Sequence, residues 1–201
     1  MKKDLTHALA VSWTSKLNRC SHKEGIDLQK MILGMEIILH NIPKLVLMVI
    51  IASLLGTLYY TLATWLSFVL IRRYACGLHA GSGINCTIMT LLMFVAAPYV
   101  MQGVYINEIT LILAFVLIGF GLYRYAPADT EARPIIGKNK RARLKKSAIL
   151  TSLLVLALTL ILRQEALYVL VTVGALYALI VVLPPTYTVL GRSMKNYERY
   201  E

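Results

Sequence analysis

The stretch from Arg72 to Cys86, RRYACGLHAGSGINC, holds residue types capable of covalent chemistry. A cysteine becomes a nucleophile when a neighbouring base or positive charge stabilises its thiolate, and histidine is the usual partner near neutral pH. His79 and Cys86 supply those two types. On an unbroken helix they would share a face but lie about 10.5 Å apart along the axis, beyond hydrogen-bond reach. A direct pair therefore needs a bend, which Gly81, Ser82 and Gly83 are suited to form. Cys76, three residues before His79, would be within reach on a continuous helix and is the simpler partner on geometry alone. Cys20 lies in the polar N-terminal region, with nothing tying it to this segment. Two non-catalytic readings compete. His79 can be an interfacial polar residue and Cys86 a small apolar one at a helix start. A zinc site from Cys76, His79 and Cys86 fits less well, because no fourth ligand is evident and the spacing matches no standard pattern. No metal and no cofactor are expected.

The elements that must position this segment follow from composition. The chain has 201 residues, 58% of them hydrophobic and 15% charged. Soluble domains sit near about 45 to 50% apolar and about 25% charged, so this chain belongs in a bilayer as an all-α polytopic protein. Three cysteines without framework spacing argue against a disulfide scaffold. The net charge of +11 is explained by lysine and arginine retained on the cytoplasmic side, so nucleic acid is not expected as a partner.

Along the chain, the first 25 residues are polar and basic and lack the apolar core of a secretory signal. From Ile26 to Ile38 apolar residues recur at helical spacing, which predicts an amphipathic helix at the membrane surface. Leu45 to Ile71 is an uncharged run of 27 residues that reads as one long span. Cys86 to Tyr123 reads as a helical hairpin turning at Gln102 to Glu108, and Ser147 to Leu183 as a second hairpin turning at Arg163 to Glu165. Between them, Arg124 to Lys146 carries eight basic residues and reads as a cytoplasmic loop.

This gives four firm spans and a conflict of parity. If the basic N-terminus and Arg72-Arg73 are both cytoplasmic, the chain between them crosses an even number of times. Either Ile26 to His40 also spans, burying Glu36, or Leu45 to Ile71 bends back near Gly56 to Tyr60. With positive-inside holding throughout, the count is six crossings. The expected organisation is a single membrane-embedded domain over 1–201, with an N-terminal amphipathic region (1–41), the chemical segment (72–86) and the basic loop (124–146).

The segment RRYACGLHAGSGINC, followed by YAPADTEARPI from Tyr125 to Ile135 and a Lys/Arg run, resembles the AgrB family of accessory gene regulator proteins. The likeness extends over essentially the whole chain. It rests most specifically on Arg72, Gly77, His79 and Cys86 together with the Ala-Pro-Ala-Asp-Thr-Glu stretch. The resemblance implies a membrane-embedded cysteine endopeptidase that trims a quorum-sensing propeptide of the AgrD type and promotes closure of its thiolactone or lactone ring. It implies catalytic roles for His79 and Cys86, and a bacterial cell membrane location with the site at the cytoplasmic face.

Arg72 and Gly77 are candidate substrate-binding residues, with topology and lipid anchoring as the competing role for Arg72. Asp129 or Glu131 can be a third group orienting His79, although loop and helix-start roles suit them better. The expected partners are the propeptide and membrane lipid, with a homodimer left open. A non-catalytic membrane scaffold or a small transporter is the alternative. The uncharged cores of the firm spans weaken the transporter.

Overall fold

The computed structural model describes residues 5–78, 83–131 and 134–199. Among them the regular structure is helical: α1 (Leu5–Ser21), α2 (Gly25–Leu54), α3 (Leu58–Ala75), α4 (Gly83–Leu91), a π-helical turn (Leu92–Ala96), α5 (Ala97–Val100), α6 (Glu108–Tyr125), α7 (Lys138–Leu162), α8 (Glu165–Ile180), α9 (Pro184–Val189) and a 3-10 turn (Asn196–Arg199). The protein is an all-α membrane protein. Three helices, α2, α6 and α7, are each long and apolar enough to cross a bilayer, and shorter apolar helices accompany them.

The chain forms two compact units, Met1–Ile51 and Ala52–Glu201. In the first, the connection between α1 and α2 is pinned by Asn18, whose Oδ1 accepts from the Lys23 N–H at 2.8 Å and whose Nδ2 donates to the Lys23 carbonyl at 2.9 Å. The side chains of His7 and Glu36 pair across the same two helices. Leu9, Trp13 and Leu17 are spaced four apart on α1 and are exposed.

The partition of residues 26–71 differs from the sequence expectation. No separate amphipathic helix ends at Ile38, because α2 runs on as one helix of 30 residues through Pro43 to Leu54, about 45 Å long. Nor is Leu45 to Ile71 one span. The chain leaves the helix at Gly56, whose φ of +67° suits glycine. The Thr57 N–H bonds the Ala52 carbonyl at 2.8 Å, and α3 begins at Leu58. The break at Gly56 falls where the alternative bend near Gly56 to Tyr60 was expected, and α2, with Glu36 inside it, is long and apolar enough to cross as the other alternative required. The hairpin turns fall where expected. Asn107 caps α6 by accepting from the Thr110 N–H at 2.8 Å, and α7 and α8 meet at Arg163-Gln164. The basic stretch is only partly loop, since Lys138 to Lys146 already belongs to α7.

In the second unit α3, α6, α7 and α8 pack around Ile71, Leu111, Phe115, Ile118, Leu122, Val155 and Tyr168. Lipid supplies no hydrophobic drive for helices to associate with one another, so close packing and interhelical hydrogen bonds must do so. The α3–α8 contact shows both. Thr61, Thr64 and Ser67 are buried on α3, and Ser67 Oγ donates to the Val171 carbonyl at 2.8 Å. Gly174 lies so close that a Cβ there would come within 2.2 Å of the Thr64 carbonyl oxygen. Leu113, Val116, Leu117 and Phe120 of α6 and Leu150, Leu154 and Leu158 of α7 point outward, as lipid-facing surfaces do.

Gly174→Ala is expected to destabilise the protein by about 1–3 kcal/mol through forced separation of α3 and α8. Gly119→Ala, where a Cβ meets nothing within 4 Å, should stay within about 1 kcal/mol of the parent. Thermal unfolding of the two variants in the same detergent checks the contrast, and equal melting temperatures would refute the packing account.

Candidate active site

The basic ends of α3, α6 and α7 meet the C-terminal end of α8 at one end of the second unit. Helix α3 stops at Ala75 because the next residues leave helical angles: Cys76 has φ 60° and ψ −133°, and Gly77 has φ +101°. Cys76 to Leu78 then runs as a short extended segment held on two sides. Toward the loop after α6, Cys76 forms a parallel bridge with Ala128. There the Ala128 N–H bonds the Ala75 carbonyl at 3.0 Å, and the Gly77 N–H bonds the Ala128 carbonyl at 2.9 Å. Toward the end of α8, the Leu78 N–H bonds the Val181 carbonyl at 3.1 Å.

Gly77 is required by this geometry twice over. Its backbone angle is one that side chains disfavour, and a Cβ would sit 2.6 Å from the Val181 carbonyl oxygen and 3.1 Å from Val182 Cγ1. What the structure gives Gly77 is the close approach of three backbones. Arg72, one turn before the end of α3, turns its guanidinium back to donate to the Leu78 carbonyl and covers the Phe68 ring at 5.2 Å. It lies within electrostatic reach of Cys76, Cys86 and Tyr187.

His79, Gly81 and Ser82, and with them most of the expected bend, lie outside the described residues, as does Arg133. The chain re-enters at Gly83 as α4, with the half-buried Cys86 the fourth residue of that helix. Phe94, on the π-helical turn that continues α4, packs between Phe68 of α3 and Tyr177 of α8, with ring centroids 5.0 and 6.1 Å away. Those contacts fix the helix that carries Cys86 against the helices that hold the 76–78 segment. Cys76 is half-buried, and its Sγ points to the Tyr74 carbonyl at 3.7 Å. The continuous helix that would have made Cys76 the simpler partner of His79 is absent, because α3 ends one residue before it. Cys20 is exposed on α1.

Asp129 and Glu131 both bond to the C-terminal tail. Asp129 is buried, and its Oδ2 accepts from the backbone N–H of Tyr197 at 2.9 Å. The Tyr187 hydroxyl donates to the Asp129 carbonyl at 2.9 Å. Burial first, and the Asp129 carboxylate second, push the Tyr187 phenol up to about 12, so it stays a donor at any physiological pH. Glu131 Oε1 accepts from Ser193 Oγ at 2.9 Å. Arg141 of α7 stacks on the Tyr197 ring at 3.9 Å and donates to the Ile135 carbonyl at 3.0 Å. The sequence reading passes over Tyr187, Ser193 and Tyr197. The signal available for them was a pair of tyrosines in an otherwise polar and basic tail.

Replacing Gly77 by Ala is expected to cost about 1–3 kcal/mol from the clash alone, with backbone strain in addition. The loss should appear as a lower melting temperature in detergent. An unchanged melting temperature would mean that the 76–78 segment is not held between Ala128 and Val181.

No solved structure matches this chain. The family model described as accessory gene regulator B matches residues 10–183. An AgrB-like protein of Clostridium acetobutylicum is 38% identical over 200 residues, covering 100% of this chain and 96% of its own length. An AgrB-like protein of Listeria monocytogenes is 40% identical over 168 residues, 84% of this chain and 82% of the relative. Accessory gene regulator protein B of Staphylococcus aureus is 35% identical over 144 residues, 71% of this chain and 75% of the relative. With the match running from α1 through the end of α8 and across the whole 76–131 clasp, the chain belongs to the accessory gene regulator B family.

Proposed function

We propose that this protein is a membrane-embedded cysteine endopeptidase of quorum sensing that cleaves an AgrD-type propeptide and promotes closure of its ring, with His79 and Cys86 as the catalytic pair. The observation that carries the reading is the build of the described residues that flank the pair. Backbone bonds to Ala128 and Val181 hold Gly77 and Leu78, which lead directly into His79, while Cys86 stands near the start of a helix within electrostatic reach of the anchored Arg72. A nucleophile on a packed helix, and a base that directly follows a backbone segment held on two sides, have the support that covalent catalysis uses.

The chemistry divides into two acyl transfers. The Cys86 thiolate attacks the scissile carbonyl, and a fixed cation such as Arg72 stabilises the negative charge that develops there. The C–N bond breaks as His79 delivers a proton to the leaving amine, which releases the C-terminal piece and leaves the N-terminal part as a thioester on Cys86. A thiol or hydroxyl within the bound peptide then attacks the thioester carbonyl, its proton passing to His79, which is neutral after the first transfer. The ring closes, and the Cys86 sulfur leaves as the thiolate. Exclusion of water keeps hydrolysis from competing. Arg72 and Gly77 enter this reading as the residues beside which the peptide lies.

The site belongs at the cytoplasmic face, where thiols stay reduced, and the gathering of Arg72, Arg73, Arg124 and the start of α7 at one end of the helices supports that side. The first turn of α7 carries Lys138 and Lys140 and no acid. Cations there oppose the helix dipole, a placement that suits attraction of an acidic peptide tail.

Co-expression with the propeptide, read by mass spectrometry for cleaved and cyclised product, tests the assignment. Cys86→Ala and His79→Ala should abolish cleavage, Cys86→Ser should leave at most a trace, and Cys20→Ser and Cys76→Ser should keep most of it. Cleavage surviving in Cys86→Ala but lost in Cys76→Ser would move the nucleophile. Neutralising the exposed Lys138, Lys140, Arg143 and Lys146 to Gln should raise KM and flatten its dependence on salt, with kcat little changed. An unaltered KM in a correctly inserted variant would leave these residues a role in topology alone.

A further inference from the structure

We infer that Asp129 is a positioning residue, and that the C-terminal tail it grips is a brace for the backbone segment, Cys76 to Leu78, that precedes His79. This rests on the catalytic reading above, in which His79 acts on the substrate. The contacts form a continuous chain. The Tyr197 N–H binds Asp129 Oδ2 at 2.9 Å, Tyr187 binds the Asp129 carbonyl at 2.9 Å, and the preceding residue, Ala128, takes the Gly77 N–H at 2.9 Å. Two residues beyond Gly77 the chain reaches His79.

The tail is folded to make this contact. Ser193 and Asn196 bond one another side chain to side chain, and Asn196 Nδ2 returns to the Ser193 carbonyl at 2.9 Å. Ser193 also holds Glu131 at 2.9 Å, and the Tyr197 ring lies under Arg141 at 3.9 Å. Three attachments, to Asp129, Glu131 and Arg141, tie the tail from Ser193 to Tyr197 to the loop and to the start of α7.

Asp129 is 4% exposed, and a buried carboxylate is tolerable only while its acceptors are used. When the tail leaves, the carboxylate loses the Tyr197 N–H and must move toward water, taking Ala128 with it. A displacement of about 1 Å at a base is enough to cost up to about a hundredfold in rate.

The test uses the full chain in proteoliposomes with the propeptide as substrate. Asp129→Ala should lower kcat about tenfold or more while KM stays within about twofold. Asp129→Asn retains a carbonyl oxygen for the Tyr197 N–H and should remain within about threefold of the parent kcat. A chain ending at Lys195 removes the donor and leaves Asp129 in place; it should reproduce the Asp129→Ala loss and add little to it. Trypsin cleavage after Lys195, followed by mass spectrometry of the released peptides, should be faster in Asp129→Ala than in the parent or in Asp129→Asn, a readout that needs no catalysis. The inference is overturned if Asp129→Ala or the truncated chain keeps full kcat, or if Asp129→Asn is as slow as Asp129→Ala with its tail still protected, since charge and not the brace would then matter. Failure of the catalytic reading has a different signature, cleavage that survives in Cys86→Ala.

Discussion

Two backbone hydrogen bonds, from Gly77 to Ala128 and from Leu78 to Val181, join three segments that are far apart in sequence. Non-helical backbone at the edge of a bilayer is tolerable only where protein satisfies its polar groups, and these bonds do that for the residues that follow α3. They require three backbones to approach more closely than any side chain permits. The lack of a Cβ at residue 77 is therefore the constraint on which the end of α3, the loop after α6 and the exit from α8 all depend. Once that approach is made, the path of the chain through Leu78 is set by neighbours on both sides, and Arg72 closes the arrangement by donating to the Leu78 carbonyl.

The fold was legible where hydropathy has sharp edges. The hairpin turns around Gln102 to Glu108 and at Arg163 to Glu165 are marked by polar residues between uncharged runs, and the helices begin and end there. The region from Ile26 to Ile71 was not legible in the same way. Its helix break, at Gly56-Thr57, has no charge beside it, and the polar residues Lys30, Glu36 and His40 lie within a continuous helix. Charge marks where a chain meets water, whereas a positive φ at one glycine marks where a helix stops, and only the first shows in a hydropathy pattern.

The candidate site was legible by residue type and not by contact. Arg72, Gly77 and Cys86 stand out in the sequence because charge, glycine and thiol are unusual between spans. Composition gives no hint that Gly77 is needed against Val181, more than 100 residues later. Asp129 drew attention as an acid near a basic run, which suggested a partner for His79. Its Oδ2 takes a backbone N–H of the tail, and a backbone donor carries no sequence signature.

The way charges are held at this end of the molecule links the fold to its substrate. Arg72 is held by a ring face and a carbonyl, Arg141 stacks on Tyr197 and bonds Ile135, and Lys145 lies 5.3 Å from the centroid of the Tyr123 ring. Asp129 takes a backbone N–H and Glu131 a serine hydroxyl. Neutral partners fix a charged group in place without cancelling its charge. Where ring faces, carbonyls and hydroxyls do the holding, a charged group gains a fixed position with less loss of its field than an ion pair would cause. Net charge then acts at a distance set by screening, about 10 Å at moderate salt. Under the proposed function, an acidic peptide segment approaching along the membrane surface would meet that field before it makes any contact.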